Sequence, residues 1–321
     1  MIVRAPLPER VARFAADLDR IAPGGQLAVA VSGGPDSLAL LLLASAARPG
    51  RVVAATVDHG LRPESAGEAA MVADLCRALS IPHHVSRITV EARGEGIQAA
   101  ARTARYAALT RWARDEAADW LATAHHLDDQ AETMLMRLAR GSGVTGLSGI
   151  RPSRRLGRDL SLVRPLLGWR KAELVQVAAA AAAGLTPVDD PSNRDPRFDR
   201  TRARALLTQG WPTPERLAAV ATRLGEAEAA LHWQTERLAR ARLTVGDGRG
   251  RLDPSDLPRE LRRRLLLMAL ARMTHGADPR GDDVDRLLDR LDAGDTSTLA
   301  GIRIEAGPVW RLSVAPPRRS G

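Results

Sequence analysis

The sequence predicts an α/β fold, with a Rossmann-like parallel sheet and a small, mainly helical C-terminal domain. Three observations support it. Short apolar segments alternate with helix-forming segments through the first two thirds of the chain, as in βαβ units. Two adjacent glycines, Gly33 and Gly34, separate the first apolar segment from a helix. From about Trp211 prolines interrupt the chain and charged helices follow. We therefore predict a first domain over residues 1–212, a connecting helix over 213–245 and a C-terminal domain over 246–321.

The strands of the first domain are predicted from short apolar runs, and its helices from apolar residues on one face. Leu27–Val31 and Arg51–Val57 are mainly apolar runs. Between Glu64 and Leu79, Val72 and Leu75 recur at helical spacing. Further strands are predicted over Pro82–Val90 and Trp120–Ala124, and further helices from about Ser37 and over Gln98–Glu116, Asp128–Ala139 and Lys171–Ala183.

Helical patterns predominate in the remainder of the chain. Glu215–Leu243 predicts one long amphipathic helix, the connector, because Pro212 and Pro214 end the preceding segment. Two more helices are predicted over Leu261–Thr274 and Asp282–Asp292, and strands over Thr298–Ile304 and Val309–Val314.

The composition excludes several classes of protein. Hydrophobic residues make up 45% and charged residues 26% of the chain, which is typical of a globular protein and not of a disordered or fibrous one. The longest apolar run, Leu38–Ala47, is too short to cross a bilayer, and the charged N-terminal residues do not resemble a secretory signal. A single cysteine, Cys76, permits neither an internal disulfide nor a cysteine-based metal site within the chain. We predict a cytoplasmic protein with no membrane partner.

The charge balance favours a polyanionic partner. The 47 Lys and Arg residues outnumber the 38 Asp and Glu residues, so the net charge is +9. Every basic residue except Lys171 is an arginine, whose guanidinium group suits phosphate recognition. A merely basic enzyme is the alternative. Aromatic residues amount to only 3%, which argues against a protein that stacks RNA bases on exposed rings.

The turn between the first strand and its helix predicts an anion site. Free N–H groups and the positive end of the helix dipole meet there. The two glycines let a phosphate approach the backbone, the proline fits the first helical turn because it has no N–H, and the two serines add hydroxyl donors. The segment is Ser32-Gly33-Gly34-Pro35-Asp36-Ser37.

Asp36 within this segment would repel phosphate unless a cation lay between them. A bridging Mg²⁺ is the simplest resolution, because Mg²⁺ is commonly bound by one or two carboxylates together with phosphate oxygens. The alternative is that Asp36 caps the N-terminus of the helix.

The hexapeptide resembles the PP-loop of the ATP pyrophosphatase superfamily, which transfers AMP and releases pyrophosphate. Without a Gly-Lys-Ser/Thr sequence it is not a Walker A loop. Over about residues 25–205 the chain also resembles the tRNA(Ile)-lysidine synthetases, which implies an adenine nucleotide alpha hydrolase-like fold. One departure is Thr201, where that family has Asn. The motifs that carry the resemblance are Asp58–Ser65, Arg102 with Arg105-Tyr106, His125–Thr133 continuing to Gly143, Arg164–Leu167, Asp190–Asn193 and Phe198–Arg204.

The resemblance implies a two-step ligation with ATP and Mg²⁺ as cofactors. The C2 carbonyl oxygen of the wobble cytidine (position 34) of a CAU-anticodon tRNA(Ile) would attack ATP. The ε-amine of free L-lysine would then displace AMP and leave lysidine. The C-terminal domain and the connecting helix would contact the tRNA. The sequence leaves the oligomeric state open, with a homodimer as one alternative.

Three residues besides Asp36 are candidates for catalysis. If Asp128–Ala139 is helical, Asp129 and Glu132 share a face, and His125 lies just before that helix at the end of a strand. Their side chains would converge at the carboxyl edge of the sheet, where open α/β folds bind ligands. The amine of lysine, with a reference pKa of about 10.4, must lose a proton before it attacks. The sequence does not decide which of the three accepts that proton.

Further roles are assigned to the metal and to the tRNA. Asp36 and Asp129 are the predicted Mg²⁺ ligands. Candidates for binding the tRNA backbone or the developing phosphate charge are Arg102, Arg105, Arg164, Arg200 and Arg204.

Three rival functions fit the sequence less well. A tRNA thiolase of the same superfamily generally relies on cysteine pairs, and this chain has Cys76 alone. A ligase of the amidotransferase type would leave the motifs near Asp58 and His125 unexplained. A non-catalytic RNA-binding protein would bind tRNA without forming AMP.

Overall fold

The computed structural model of the chain describes residues 3–58, 65–88, 97–181, 199–274, 276–277 and 279–316. The motif residues at 59–64, 190–193 and 198 lie outside these ranges, as do the predicted strand end at 89–90, the predicted helix end at 182–183 and the C-terminal arginines at 318–319. The chain groups into two units, Met1–Gly225 and Glu226–Gly321, which are described separately.

A mostly parallel sheet forms the centre of the first unit. Its strands are β1 (Leu27–Ala30), β2 (Val52–Asp58), β3 (His83–Arg87), β4 (Trp120–Ala122), β5 (Ser153–Arg155) and β6 (Ser161–Val163). Over the described residues these six strands have the order β3-β2-β1-β4-β6-β5. All neighbours are parallel except β5, which is antiparallel to β6. The predicted Rossmann-like parallel sheet is confirmed.

The helices of this unit cover the sheet and extend from it. They are α1 (Pro8–Ile21), α2 (Pro35–Ala47), α3 (Ser65–Ala78), α4 (Ile97–Asp115), α5 (Leu127–Ala139), α6 (Val144–Leu147), α7 (Lys171–Ala181) and α8 (Asp199–Leu207). A ninth helix in the described chain, α9 (Pro214–Arg242), begins in this unit and continues into the next. It spans most of the predicted connecting helix. The units divide inside α9, and the predicted domain boundaries stay predictions.

Helix α2 is apolar on all sides because other elements surround it. It packs against α1, α7 and the first two strands, and all residues from Ser37 to Ala44 are buried. A helix of this kind belongs to the core. Its N-terminus, which follows the glycine turn, is therefore held in a fixed position relative to the sheet.

The order of the strands reverses at β1 and β4, whose carboxyl ends lie side by side. Strand β1 pairs with β2 on one side and with β4 on the other, so Leu27 lies opposite both Val52 and Trp120. The chain leaves β1 toward β2 and returns later to β4, and open α/β sheets bind ligands at such a reversal. The turn at Ser32–Ser37 follows β1, and the segment Thr123–Asp129 follows β4.

Several elements of the first unit were not predicted. Helix α1 buries Phe14 and Leu18, whose spacing of four residues is a helical signal. Strand β5 consists of three exposed residues, so no apolar pattern marks it. Its partner β6 has only Leu162 and Val163 buried, which is too short a run to identify a strand from sequence.

The second unit combines helices with an antiparallel sheet. Its further elements are β7 (Leu243–Gly246), β8 (Arg249–Leu252), α10 (Arg259–Met273), α11 (Gly281–Asp292), β9 (Ser297–Leu299), β10 (Ile302–Glu305) and β11 (Trp310–Val314). Over the described residues the sheet has five strands, in the order β7-β8-β11-β10-β9. Leu266, Leu270 and Leu288 from the helices share one core with Leu252 and Trp310 of the sheet.

The two C-terminal helices are confirmed, but the sheet is larger than predicted. The predicted strand Thr298–Ile304 is a hairpin, since Ala300 and Gly301 between β9 and β10 both have positive φ angles. Strands β7 and β8 were not predicted. Each has only four residues, and alternation of buried and exposed positions over so short a segment is weak evidence for a strand. Among the described residues, no helix combines the length and apolar character needed to span a bilayer.

Replacement of a core leucine tests the account of α2. Leu41 is fully buried, whereas Leu138 on α5 is 56% exposed. We expect Leu41→Ala to lower the free energy of unfolding by about 2–5 kcal/mol, because it removes buried methyl groups and leaves a cavity. Leu138→Ala is the matched control and should cost under about 1 kcal/mol. Urea denaturation followed by circular dichroism measures both. Equal losses would contradict the burial of α2.

Candidate active site

The turn before α2 is held from inside by Ser37. The Ser37 hydroxyl donates to the carbonyl of Gly34 (2.9 Å) and accepts from the backbone N–H of Ser32 (3.1 Å). Gly33 has a φ of +79°, a conformation that glycine adopts without strain. Ser37 therefore stabilises the conformation of the turn, whereas the side chain of Ser32 is exposed.

Asp36 lies in the first turn of α2 but does not cap it. Gly34 is the N-cap residue, and no side chain makes a capping hydrogen bond there. One carboxylate oxygen of Asp36, Oδ1, is buried without a hydrogen-bond partner. The other, Oδ2, lies 3.5 Å from Nε2 of His126. The capping alternative is wrong, and a buried carboxylate oxygen faces the site without a partner.

His126 occupies the centre of the site, although the sequence analysis assigned it no role. It is 3% exposed and is the N-cap residue of α5. Its Nδ1 accepts from the N–H of Asp129 (3.3 Å), and Asp129 Oδ2 accepts from the N–H of His126 (3.1 Å). In a neutral imidazole that arrangement leaves the proton on Nε2. Nε2 lies 3.5 Å from both Asp36 Oδ2 and Asp129 Oδ2.

Neighbouring carboxylates raise the pKa of the His126 imidazole above its usual value. Burial lowers the pKa of its imidazole, but the hydrogen bond with Asp36 and the charges of Asp129, Asp36 and Asp128 outweigh burial, so the pKa is raised. A histidine at the N-cap three residues before an aspartate is the signal that could have identified this residue.

Asp129 and Glu132 lie on one face of α5, as their spacing predicted, and helix α8 covers that face. Arg204 Nε donates to Glu132 Oε1 (2.6 Å). Arg200 Nε lies 2.8 Å from Glu132 Oε2, and its Nη2 lies 3.5 Å from Asp129 Oδ1. Glu132 is only 4% exposed. Arg200 and Arg204, predicted to bind tRNA or phosphate, therefore already neutralise the acidic side chains of α5.

His125 lies beside Thr123 and is uncharged near neutral pH. Its Nδ1 lies 3.0 Å from the hydroxyl oxygen of Thr123. Burial lowers the pKa of His125 to about 4, and the positive charges of Arg164, Arg102 and Arg200 add to this effect against the opposing charge of Asp129.

A cluster of cations surrounds Tyr106, the only tyrosine. The guanidinium carbon of Arg102 lies 5.2 Å from the ring centroid and that of Arg105 lies 5.8 Å away. Arg164 is 8% exposed, hydrogen-bonds to Tyr106 and donates to the carbonyl of Arg151 (2.6 Å). Burial lowers the pKa of both Arg105 and Arg164. Over the described ranges none of these three arginines has a carboxylate within ion-pair distance, so an anion would find uncompensated cations here.

Two further residues of the α5 segment are structural. Asp128 accepts from the N–H of Lys171 (2.8 Å) and pairs with Arg170, the residue that precedes α7. Burial raises the pKa of Asp128, but these two contacts outweigh burial and lower it. Gln130 exchanges hydrogen bonds with the backbone of Ile150. These contacts fix the loops around the site.

Comparison with known proteins agrees with this geometry. The family model of the PP-loop domain matches residues 6–210, which defines the class as an ATP-using PP-loop protein. A tRNA(Ile)-lysidine synthase of Novosphingobium aromaticivorans is 48% identical over 315 residues, covering 96% of this chain and 94% of that protein. One of Zymomonas mobilis is 44% identical over 299 residues, covering 92% and 90%. The chain belongs to the tRNA(Ile)-lysidine synthase family.

A solved structure also shares the fold. The U34-tRNA thiolase NcsA of Methanococcus maripaludis superimposes with a TM-score of 0.56 at 19% identity, covering 68% of this chain and 79% of that one. This similarity supports the α/β fold of the first unit.

The lowered pKa of His125 predicts a pH dependence of stability. A folded pKa of about 4, below the usual 6.5, means that the unfolded chain binds this proton more tightly. The contribution of His125 is present above pH 6.5 and is lost as the pH falls from 6.5 toward 4. When the pH falls from 7 to 5, the free energy of unfolding of the wild type should therefore decrease by about 1–2 kcal/mol more than that of His125→Asn.

Urea denaturation at both pH values measures this difference. His232→Asn on α9, where the side chain is 67% exposed, is the matched control and should behave like the wild type. Identical pH profiles for His125→Asn and the wild type would contradict a buried, neutral His125.

Proposed function

We propose that this protein ligates free L-lysine to C2 of the wobble cytidine of CAU-anticodon tRNA(Ile), consuming ATP and releasing AMP and pyrophosphate. Membership of the tRNA(Ile)-lysidine synthase family establishes an ATP-using enzyme that acts on tRNA(Ile). One observation carries the assignment of the site: Asp36 from the glycine turn and Asp129 from α5 both face the imidazole of His126. The proposed nucleotide site and the acids of α5, Asp129 and Glu132, therefore adjoin.

The glycine turn is the proposed site of the pyrophosphate portion of ATP. It combines a positive φ at Gly33 with the N-terminus of α2, a helix held firmly in the core. Backbone N–H groups at such a helix start bind phosphate oxygens, and the helix dipole favours their charge. Residues Ser32–Ser37 are the proposed ATP-binding residues.

Mg²⁺ is the proposed counter-ion between Asp36 and the phosphates. The partnerless, buried Oδ1 of Asp36 fits a hard cation, and Asp129 is the second proposed ligand across His126. In the described part of the chain no group of three or more His, Cys, Asp or Glu side chains could hold a metal ion. Two carboxylates suit Mg²⁺, because nucleotide phosphates and water usually complete its coordination. When bound, the ion would offset negative charge on the phosphates.

The acids of α5 are the proposed site for the ammonium group of lysine. A carboxylate alone would hold the ammonium proton more tightly, but a neighbouring cation lowers the pKa of an amine. Arg200 and Arg204, in contact with Asp129 and Glu132, would provide that cation effect. Asp129, Glu132 and His125 are the proposed candidates for accepting the released proton. Burial and nearby arginines lower the pKa of His125 to about 4, so its neutral ring is free to accept a proton but is a weak base.

The cation cluster around Tyr106 is the proposed site for charge on the RNA and on the α-phosphate. Arg102, Arg105 and Arg164 have no acidic partner in the described structure, unlike Arg200 and Arg204. Preorganised cations stabilise charge that develops during a reaction without reorganisation of solvent. The contacts of the C-terminal domain with tRNA, the homodimer and the cytoplasmic location stay predictions.

The chemistry of Cys76 favours a ligase over a thiolase. Cys76 is the only cysteine, lies in α3 and is fully buried. Burial raises the pKa of its thiol to about 12, so the reactive thiolate is almost absent at neutral pH. Sulfur transfer by this residue is therefore disfavoured.

Transfer of labelled lysine tests the proposed function directly. Purified protein is incubated with ATP, Mg²⁺, radiolabelled L-lysine and an unmodified CAU-anticodon tRNA(Ile) transcript. We expect label in the tRNA and one AMP for each lysine attached. A folded protein that binds the transcript but forms no AMP would instead be a non-catalytic RNA-binding protein.

Substitution of Asp36 separates catalysis from tRNA binding. Asp36→Asn keeps the shape of the side chain but removes the charge proposed to hold Mg²⁺, so AMP formation should fall by at least about 100-fold. The affinity for tRNA should stay within about twofold. Asp74→Asn on α3, an acid in an exposed pair with Arg77, is the control and should be fully active. Parallel loss of AMP formation and tRNA affinity would make Asp36 a structural residue.

A further inference from the structure

The hairpin formed by β5 and β6 carries exposed arginines that the sequence analysis did not consider. Residues 151–158 contain four arginines, and all four are exposed. Strand β5 is the last strand of the sheet, so its outer edge pairs with no other described strand. The four are Arg151, Arg154, Arg155 and Arg158.

Helix α4 carries two more basic residues, Arg111 and Arg114, on its groove-lining face. One of them contacts the hairpin. Arg114 Nη2 donates to the carbonyl of Leu156 in the hairpin turn (2.8 Å). An open groove of about 440 Å³ runs along this side of α4. Its lining residues are Tyr106, Ala107, Thr110, Arg111, Arg114 and Asp115.

The groove begins at the proposed active site. Tyr106, at one end of the groove, hydrogen-bonds to Arg164. Burial lowers the pKa of Arg164, and the nearby charge of Arg154 lowers it further. The cations of the hairpin are therefore electrostatically continuous with those around Tyr106, which the proposed function assigns to RNA.

The charges of these arginines are not neutralised by the protein. Within the described ranges none of the four hairpin arginines has a carboxylate at ion-pair distance, nor has Arg111 or Arg114, in contrast to Arg200, Arg204 and Arg264. Arg155 donates only to backbone carbonyls of its own turn. Asp115 is the single acid among the described residues that line the groove.

We propose that this groove on one face of α4, together with the β5–β6 hairpin that adjoins it at Arg114, binds the phosphodiester backbone of the substrate tRNA next to the reacting cytidine. The proposal rests on the proposed function and extends it to a second surface. Arginine forks match phosphate oxygens in geometry and charge. The groove has no large aliphatic side chain in its lining, so it suits a charged backbone better than an apolar protein segment.

Solubility is the competing explanation, because charged residues on an edge strand prevent strands of other molecules from pairing with it. That explanation requires charge but no RNA contact. It predicts no special effect of these arginines on tRNA affinity.

Salt-dependent binding of the tRNA transcript distinguishes the two explanations. The test variant is R111S/R154S/R158S. Its matched control is R4S/R10S/R51S, which removes three arginines that, like the test residues, have no carboxylate at ion-pair distance in the described ranges. Fluorescence anisotropy gives Kd from about 0.05 to 0.3 M salt. Loss of three phosphate contacts should raise Kd roughly 10–100-fold near 0.15 M salt and reduce the slope of log K against log[salt] by about 2–3.

Two further variants keep the test decisive. R111K/R154K/R158K retains the charge and should keep most of the salt slope. If the triple serine variant fails to fold, R154S alone replaces it and should reduce the slope of log K against log[salt] by about 0.8. A test variant that binds tRNA like its control overturns the proposal, whatever other partner the groove has. If wild-type protein transfers no lysine but the slopes still differ between test and control, the proposed function fails and the groove remains an RNA site.

Discussion

Mutual repulsion among carboxylates is the constraint that organises this site. Asp36, Asp128 and Asp129 each place an oxygen 3.5–3.7 Å from the imidazole of His126. Like charges gathered around one ring destabilise a protein unless opposite charge is close by. The compensation comes from the Nε2–H group of the imidazole, from the positive N-termini of α2 and α5, and from arginines on neighbouring segments. The arginines among these counter-charges, Arg170 and Arg200, come from segments other than the helices that carry the acids.

The parallel sheet explains why these charges meet at all. Strands β1 and β4 are neighbours in the sheet but lie about ninety residues apart in the chain. The glycine turn and the N-terminus of α5 follow these two strands, so the pairing of β1 with β4 brings Asp36 and Asp129 to the same imidazole. Buried α2 then fixes the turn, and α8 covers the acids of α5. The site therefore forms only when the core of the first unit has formed, which couples its electrostatics to folding.

The sequence predicted those features that depend on local pattern. Apolar periodicity identified the helices from α2 to α5 and the strands β1 to β4, and the spacing of Asp129 and Glu132 placed both on one face. Contacts distant in sequence could not be predicted in this way. Nothing local indicates that Glu132 would pair with Arg204, seventy-two residues away. His126 was missed because a capping role and a position between carboxylates become visible only once α2 and α5 are packed. Strands β5, β7 and β8 lack the apolar run that marks a buried strand.

The net charge of +9 becomes informative only when the arginines are sorted by their partners. Arg200 and Arg204 contact acids of α5, and Arg264 contacts Glu228, so these side chains serve mainly to neutralise buried carboxylates. A cation already paired with a carboxylate contributes less to phosphate binding, because the pair must first be separated or the added anion is repelled by the acid. Attraction for a polyanion must then arise from arginines that lack such partners. In the described first unit one group of these arginines lies around Tyr106 and along the β5–β6 hairpin, beside the residues proposed for catalysis.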